Sequence, residues 1–551
     1  MNHPKIVIIG GVAGGASAAA KARRMNESAQ ITIFEKGPYM SYANCGLPYH
    51  ISGEIAKKSS LILQTPEAFK KRFNIDVYVL HEVVAVNPGR KIVMVKNLST
   101  GEIFECPYDK LIMCPGSVPF MPPVPGLDAL NVFVLRTVPD VEKILTFIRE
   151  NNPRNAVVLG GGYVGLETAE ALKHAGMKVT LVEMAPHVLT LMDSDVVSVI
   201  EKHIIESGVE LILDNGLKEI VKDDKGKVKE IILQKGNILR ADMVIASIGV
   251  KPNNKLAKEI GIELGVSGAI KVNEKMETTI PDIYAAGDVA ESFNPVTGKW
   301  GWIPLAGPAN KQGRVAGANA AGGNLTFRGA LGTSIVRFNK MAAGKTGLSE
   351  HDAKRENIPY FVTTTHSNSH AGYYPGGKML HIKIVVHKET GKLLGAQVTG
   401  EDGVDKRIDV FATALYFGAT VEDLANLDLA YAPPFGSAKD PVNIAGMTGQ
   451  NRFLGVEDSM TFGEFDEVKD GYNLIDVRTQ KEYNEGAMEG SSLKPVDEFR
   501  SLIDTVDKDK PVAVYCKAGY RGYLVQRILK QHGFEVKNLD GGYLTGEYFY
   551  Q

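Results

Sequence analysis

Short, continuous apolar runs that stop at glycine or at a charged residue set the rhythm of this chain. They fall at residues 6–9 and 156–159, at 31–34 and 179–182 with one threonine each, and at 512–515, which runs on into Cys516. Runs of this length with no polar alternation predict strands buried on both faces of a parallel sheet. The first leads from Lys5 into Gly10-Gly-Val-Ala-Gly-Gly15. An alanine-rich helix is predicted over 17–24, and a second strand over 31–35 ends on Glu35. The same order recurs at 156–183: strand, Gly160-Gly-Gly162-Tyr-Val-Gly165, a helix over 166–174, and a strand ending on Glu183. Further on, 111–117 reads Leu-Ile-Met-Cys-Pro-Gly116-Ser, 247–253 reads Ser-Ile-Gly-Val-Lys-Pro-Asn, and 278–288 closes on Gly287-Asp288. Near the C-terminus, strands are predicted over 473–478 and 511–516 and a helix over 522–532. Residues 448–460, with their Gly, Asn, Asp and Ser, are expected to be a linker before them.

A strand running into a glycine turn and then a helix brings backbone N–H groups up to a pyrophosphate, and the acid ending the next strand meets ribose hydroxyls. The second turn carries all three glycines of G-x-G-x-x-G. The first departs from it, with Val12 at the middle position. Glu183 suits the free 2′-hydroxyl of NADH, and no arginine lies between residues 184 and 199 to accept the 2′-phosphate of NADPH. NADH is therefore expected over NADPH.

The 551 residues predict three or four domains at about 150 residues each. Sixty-two basic and 64 acidic side chains leave a charge of −2, which excludes recruitment of nucleic acid or an anionic membrane by a global field. Glycine is abundant at 58 residues, as close approach of backbone to ligands demands. The run 6–20 is too short to span a bilayer comfortably. Its glycines belong to the nucleotide turn, so it is not read as a signal peptide. The four cysteines, Cys45, Cys106, Cys114 and Cys516, fit a reducing, cytoplasmic setting. Cys106 and Cys114 read as small residues near strand ends. No metal site is read.

With the Gly287-Asp288 segment added, the chain resembles the flavoproteins with two dinucleotide-binding domains. That resemblance implies FAD at the first turn, held by Gly10, Val12, Ala13, Gly14, Gly15, Glu35, Lys36, Gly116 and Asp288. It implies NADH at Gly160, Gly162, Gly165 and Glu183. The expected fold class is α/β: two Rossmann-like domains, an α+β dimerisation domain and a small C-terminal α/β domain. The expected boundaries are 1–150 with 251–325 for FAD, 151–250 for NADH, 326–447 for dimerisation and 461–551 for the tail.

Disulfide reductases of this family carry C-x4-C where this chain has Cys45, but His50 occupies the second position. A redox disulfide within this motif is excluded. A lone sulfur must form a mixed disulfide, a persulfide or a sulfenic acid. Ala13 stands where single-cysteine oxidases and peroxidases carry a histidine. The stretch from Ser41 through Asn44 and Cys45 to Tyr49 resembles coenzyme A-disulfide reductase, and a helix N-terminus beside Cys45 is expected to favour its thiolate. Ser17, Lys21 and Arg24 share one helix face. The resemblance implies that these three, with Ser41, Asn44 and Lys71, contact coenzyme A as substrate or tightly bound ligand, and that Asn310 and Lys439 are further candidates. It also implies a homodimer in which two tyrosines approach the partner's sulfur, assigned to Tyr373 and Tyr431 with Tyr374 as competitor.

The tail centres on Cys516-Lys-Ala-Gly519-Tyr-Arg521. Its C-x4-R spacing is shorter than the C-x5-R loop of phosphatases and, with Ile475-Asp-Val-Arg478, resembles a single-domain rhodanese. Loop amides and a helix N-terminus there would hold an anionic Cys–S–S⁻. The whole resembles fusion enzymes that reduce persulfides or polysulfides with NADH. An oxidase working through a Cys45 sulfenic acid, and a sulfur carrier with a regulatory flavoprotein, are the alternatives. Small thiols, persulfides and disulfides are the expected partners, with no membrane.

Overall fold

In the computed structural model, which describes residues 3–550, the chain forms two compact units. One takes the chain up to Pro186 and again from Val209 to Gly332; the other takes His187–Gly208 and everything from Thr333 onward.

The first unit holds two five-stranded parallel sheets. In one, the order is Ile283–Ala285, Lys110–Met113, Lys5–Ile9, Gln30–Glu35 and Asp76–Val79. In the other it is Glu210–Ile212, Lys178–Val182, Asn155–Leu159, Met243–Ala246 and Val132–Phe133. Ile6, Val7, Ile8 and Ile9 are all buried, as strands covered on both faces must be. The helices following the glycine turns, Ala13–Met25 and Tyr163–His174, begin several residues earlier than the apolar pattern alone suggests. Val132–Phe133 pairs with Met243–Ala246, so a strand of the second sheet precedes the expected boundary at residue 150.

In the second unit, an antiparallel sheet runs Ser334–Phe338, Met341–Gly347, Leu393–Gly400, Met379–His387 and Tyr360–Asn368. A parallel sheet runs Ser459–Met460, Val536–Leu539, Val512–Tyr515, Asn473–Asp476 and Ser492–Leu493. The helix Ser194–Glu206, expected within a 151–250 domain, belongs to this unit. Buried Lys383 holds its N-terminal end, pairing with Asp195 at 2.9 Å, Asp193 at 3.4 Å and Glu350 at 2.7 Å. Losing either side of such a cluster would strand a buried charge.

The expected linker at 448–460 is a correction. The helix Pro441–Phe453 runs through its first half. Arg452 Nη1 donates to the Val362 carbonyl at 2.6 Å and Nη2 to that of Ser459 at 3.1 Å, while Arg527 donates to Val456 at 2.6 Å. Polar composition suggested slack, but these residues carry side chains that satisfy buried backbone carbonyls.

Candidate active site

The two glycine turns are built alike. Gly10 and Gly160 have φ of 92° and 104°, and a Cβ on them would strike the carbonyls of Cys114 and Ser247. A Cβ on Gly15 or Gly165 would strike the carbonyl of Gly10 or Gly160. At the middle position φ is −93° for Val12 and −76° for Gly162, neither left-handed, and a Cβ on Gly162 would meet open space, so a side chain is tolerated there. Glu35 accepts from the N–H of Gly11 and of Gly37, both at 2.7 Å. Glu183 repeats this with Gly161 at 2.6 Å and Ala185 at 2.8 Å. Burial raises the Glu35 pKa while the two N–H donors oppose it. Turns that exclude side chains, each closed by a fixed acid, fit a dinucleotide. Lys36 is exposed and pairs with Glu82 at 2.8 Å. Gly116 has φ of 71°, and Ala13 and Gly14 open the first helix.

Cys45 is exposed and sits in a short turn, Asn44–Gly46, leading into the helix Leu47–Ile51. Ser41 is held at φ 44° by its N–H to the Gly11 carbonyl at 2.9 Å and its own carbonyl accepting from Leu63 at 2.8 Å. A non-glycine residue in that region costs about 1–3 kcal/mol. Asn44 donates to the Arg136 carbonyl at 3.3 Å. The Arg136 guanidinium bridges Asp288 at 2.8 Å and Ser117 Oγ at 2.9 Å. The expected thiolate-favouring environment is not found. Although the residue as a whole is exposed, partial enclosure of its sulfur first, then the Glu167 carboxylate, push the Cys45 thiol up; Arg136 opposes them and Asp288 adds to them. A helix of only five residues cannot offset this. Glu167 itself is raised to about 6 by burial and accepts from Tyr49 Oη at 3.1 Å.

Ser17 and Asn310, far apart in sequence, meet: Ser17 Oγ donates to Asn310 Oδ1 at 2.6 Å. Their helices touch so closely that a Cβ on Gly313 or Gly317 would strike the backbone of Gly14 or Ala18. Lys21 is half-buried and Arg24 exposed. The neighbouring Arg23 is buried and donates to the Phe73 and Asn74 carbonyls, both at 2.8 Å. Lys70 pairs with Asp76 at 2.7 Å, and Lys71 beside it is exposed. In the second unit, Tyr373 and Tyr431 share a 2.6 Å hydroxyl–hydroxyl bond, while Tyr374 sets its ring edge-on to His370 at 5.5 Å. Lys439 is exposed.

Cys516 ends the strand Val512–Tyr515 and is buried. Its loop leads into the helix Tyr520–Gln531. The loop is backed by the Tyr543 N–H on the Cys516 carbonyl at 2.7 Å, Leu544 on Lys517 at 3.0 Å and Asn538 on Gly519 at 3.2 Å.

The pyridine nucleotide-disulphide oxidoreductase model matches residues 4–313, its dimerisation domain 333–441, and the rhodanese-like domain 461–545. The chain belongs to the pyridine nucleotide-disulphide oxidoreductases. This oxidoreductase is 38% identical over 443 residues to the NAD(P)H sulfur oxidoreductase (CoA-dependent) of Pyrococcus furiosus, covering 80% of this chain and 98% of that one. The crystal structure of reduced Bacillus anthracis CoADR-RHD superposes with a TM-score of 0.97 at 44% identity, covering 100% of this chain and 99% of that one. The NAD-dependent persulfide reductase from A. fulgidus gives 0.92 at 36%, covering 98% and 99%.

Three residues of the oxidoreductase escape sequence reading: Arg136, Glu167 and Glu482. Arg136 and Glu167 set the charge around Cys45. Glu482 takes both arms of Arg521, at 2.7 and 2.8 Å. Each lies far along the chain from its partner, and only Glu482 carries a local signal, the Thr479-x-x-Glu482 pattern of a helix cap.

Proposed function

We propose that the chain is an FAD-dependent, NADH-oxidising reductase of coenzyme A persulfide, polysulfide and coenzyme A disulfide, in which Cys45 is the redox sulfur and Cys516 handles sulfane sulfur. The observation carrying this reading is a solitary, exposed Cys45 with all four cysteines free. Such a sulfur must take its disulfide partner from the substrate.

FAD at the first turn and NADH at the second, when bound, supply a two-electron relay. Glu35 and Asp288 are the FAD-side acids, and Glu183 with its adjacent turn favours NADH over NADPH. The Cys45 thiolate attacks one sulfur of coenzyme A disulfide; the Sγ–S bond forms, the substrate S–S bond breaks, and one coenzyme A leaves as thiolate. With coenzyme A persulfide the attack falls on the inner sulfur and hydrosulfide leaves. Two electrons from NADH and a proton then release the second thiol. Arg136 is the cation that favours the attacking thiolate. Ser17, Lys21, Arg24, Ser41, Asn44, Lys71, Asn310 and Lys439 are the proposed coenzyme A contacts. In a homodimer, the partner subunit's Tyr373 and the partner subunit's Tyr431 supply a phenol proton to the leaving sulfur.

Among the described residues no helix is long and apolar enough to cross a membrane, which is compatible with a cytoplasmic enzyme. Anaerobic NADH oxidation with coenzyme A persulfide, coenzyme A disulfide, polysulfide and peroxide tests the proposal. Cys45→Ser should abolish turnover with every sulfur substrate. Cys516→Ser should spare coenzyme A disulfide and lower sulfane transfer. Turnover with peroxide or oxygen alone would overturn the reading.

A further inference from the structure

The tail loop is set for an anion. The N–H groups of Lys517, Ala518, Gly519, Tyr520 and Arg521 donate to no protein acceptor among the described residues, and Cys516 lies beside them. Of its two cations, Arg521 reaches the Cys516 sulfur but is already paired with Glu482. Glu482 Oε1 takes Nη2 at 2.7 Å and Oε2 takes Nη1 at 2.8 Å. This bidentate pair is the strongest geometry a guanidinium offers a carboxylate. The carboxylate is also fixed from behind, because Oε2 accepts from the Thr479 N–H at 3.0 Å and from Thr479 Oγ1 at 2.9 Å. Glu482 therefore cannot swing aside without breaking a helix cap as well. Hydrogen bonding to Arg521 holds its carboxyl down at about 2, so it is charged throughout the working pH range.

The other charges nearby leave the balance unchanged. Arg478 is paired with Asp476 at 2.7 Å, donates to the Gly486 carbonyl at 2.6 Å and lies over the Tyr543 ring at 4.1 Å. Lys517 is exposed on the rim, where solvent and salt screen it. The loop thus offers backbone dipoles with Arg521 already neutralised, an environment matched to one negative charge.

We propose that Glu482 sets the donor selectivity of Cys516, so that the tail takes sulfane sulfur from thiol persulfides and discriminates against thiosulfate. This inference rests on the reading of Cys516 as a sulfane carrier. In the transfer, the Cys516 thiolate attacks the outer sulfur of R–S–SH. The Cys516 Sγ–S bond forms, the donor S–S bond breaks with its electron pair leaving on R–S⁻, and the proton of the outer sulfur goes to that thiolate. No external oxidant or reductant is needed. The sulfur end of such a donor carries at most one charge. Thiosulfate brings two and must expel sulfite, a dianion that only an unneutralised cation would stabilise.

The test uses the full-length protein and its Glu482→Gln variant, which keeps an amide oxygen for the Thr479 cap. Loading of Cys516 is followed by mass spectrometry with sodium thiosulfate and with glutathione persulfide, each over a range of concentrations. The expected result is a rise of about tenfold in the thiosulfate-to-persulfide ratio of loading efficiencies, shrinking as salt is added. In an Arg521→Gln background the same substitution should leave the ratio unchanged. Melting temperature and NADH-dependent reduction of coenzyme A disulfide at Cys45 report separately on folding. An unchanged ratio in folded Glu482→Gln, or equal loss with both donors, overturns the inference alone. Failure of wild-type Cys516 to load from either donor overturns the carrier reading and the inference with it.

Discussion

Asp540 lies at the seam between the two sheets of the second unit, and its ionisation should be readable as a stability change. It ends the strand Val536–Leu539 and accepts from the Thr364 N–H at 3.1 Å and the Thr363 hydroxyl at 3.5 Å, on the strand Tyr360–Asn368. Burial lifts its pKa to about 7 from an ordinary 3.8; Arg452, the Thr364 N–H and Lys383 oppose the shift, and Glu457 adds to it. Because the folded value is the higher one, the packed seam is at full strength below about pH 4. It weakens as pH rises through about 7 and is flat above that. A shift of about three pKa units corresponds to an upper bound of about 4 kcal/mol. Asp540→Asn keeps the acceptor oxygen without the charge. It should match the wild type at pH 3.5 and exceed it in stability at pH 8. Amide exchange at Thr364 and along Val512–Tyr515, measured at both pH values on the full chain, reads the seam locally rather than through a global melt. If Asp540→Asn slackens the seam equally at pH 3.5 and pH 8, the carboxylate is held ionised by Arg452 and the reasoning fails.

Gly165→Ala places a methyl against the Gly160 carbonyl, so it should raise the KM for NADH at least tenfold and leave bound flavin unchanged; Gly15→Ala should instead lower the flavin absorbance per chain. Removing the Glu167 charge in Glu167→Gln should lower the Cys45 thiol pKa, seen as a shift in the pH profile of iodoacetamide alkylation; an unmoved or raised midpoint would show that burial alone sets it. In the wild type that profile should carry a second inflection near pH 6, where Glu167 ionises and pushes the thiol further up. Tyr373→Phe and Tyr431→Phe should each lower kcat with little change in KM, and the double variant should be no worse than the more damaged single one, since either change breaks the same hydroxyl pair; additive losses would separate their roles.

The glycine turns were legible because backbone crowding leaves no choice of residue at Gly10, Gly15, Gly160 and Gly165. Cys45 was legible from the missing partner at position 50, and Cys516 from its spacing to Arg521. What sequence hid was long-range electrostatics. The apolar pattern cannot reveal that Glu167 lies near Cys45, and so the thiol was expected to be lower than burial allows. The membership of residues 187–208 was equally hidden, since it is decided by Lys383, almost two hundred positions away. The expected linker failed for a related reason: polar composition marks exposure only where no buried carbonyl needs a donor, and Arg452 and Arg527 answer such carbonyls there.

The strand Tyr360–Asn368 is the last in its sheet, and Asp540 occupies the N–H of Thr364 on its open side. The tail thus shields a β edge that would otherwise be free to recruit another chain. Clipping the protein after residue 460 would bare that edge, so a shortened form should be prone to self-association even with its flavin half intact.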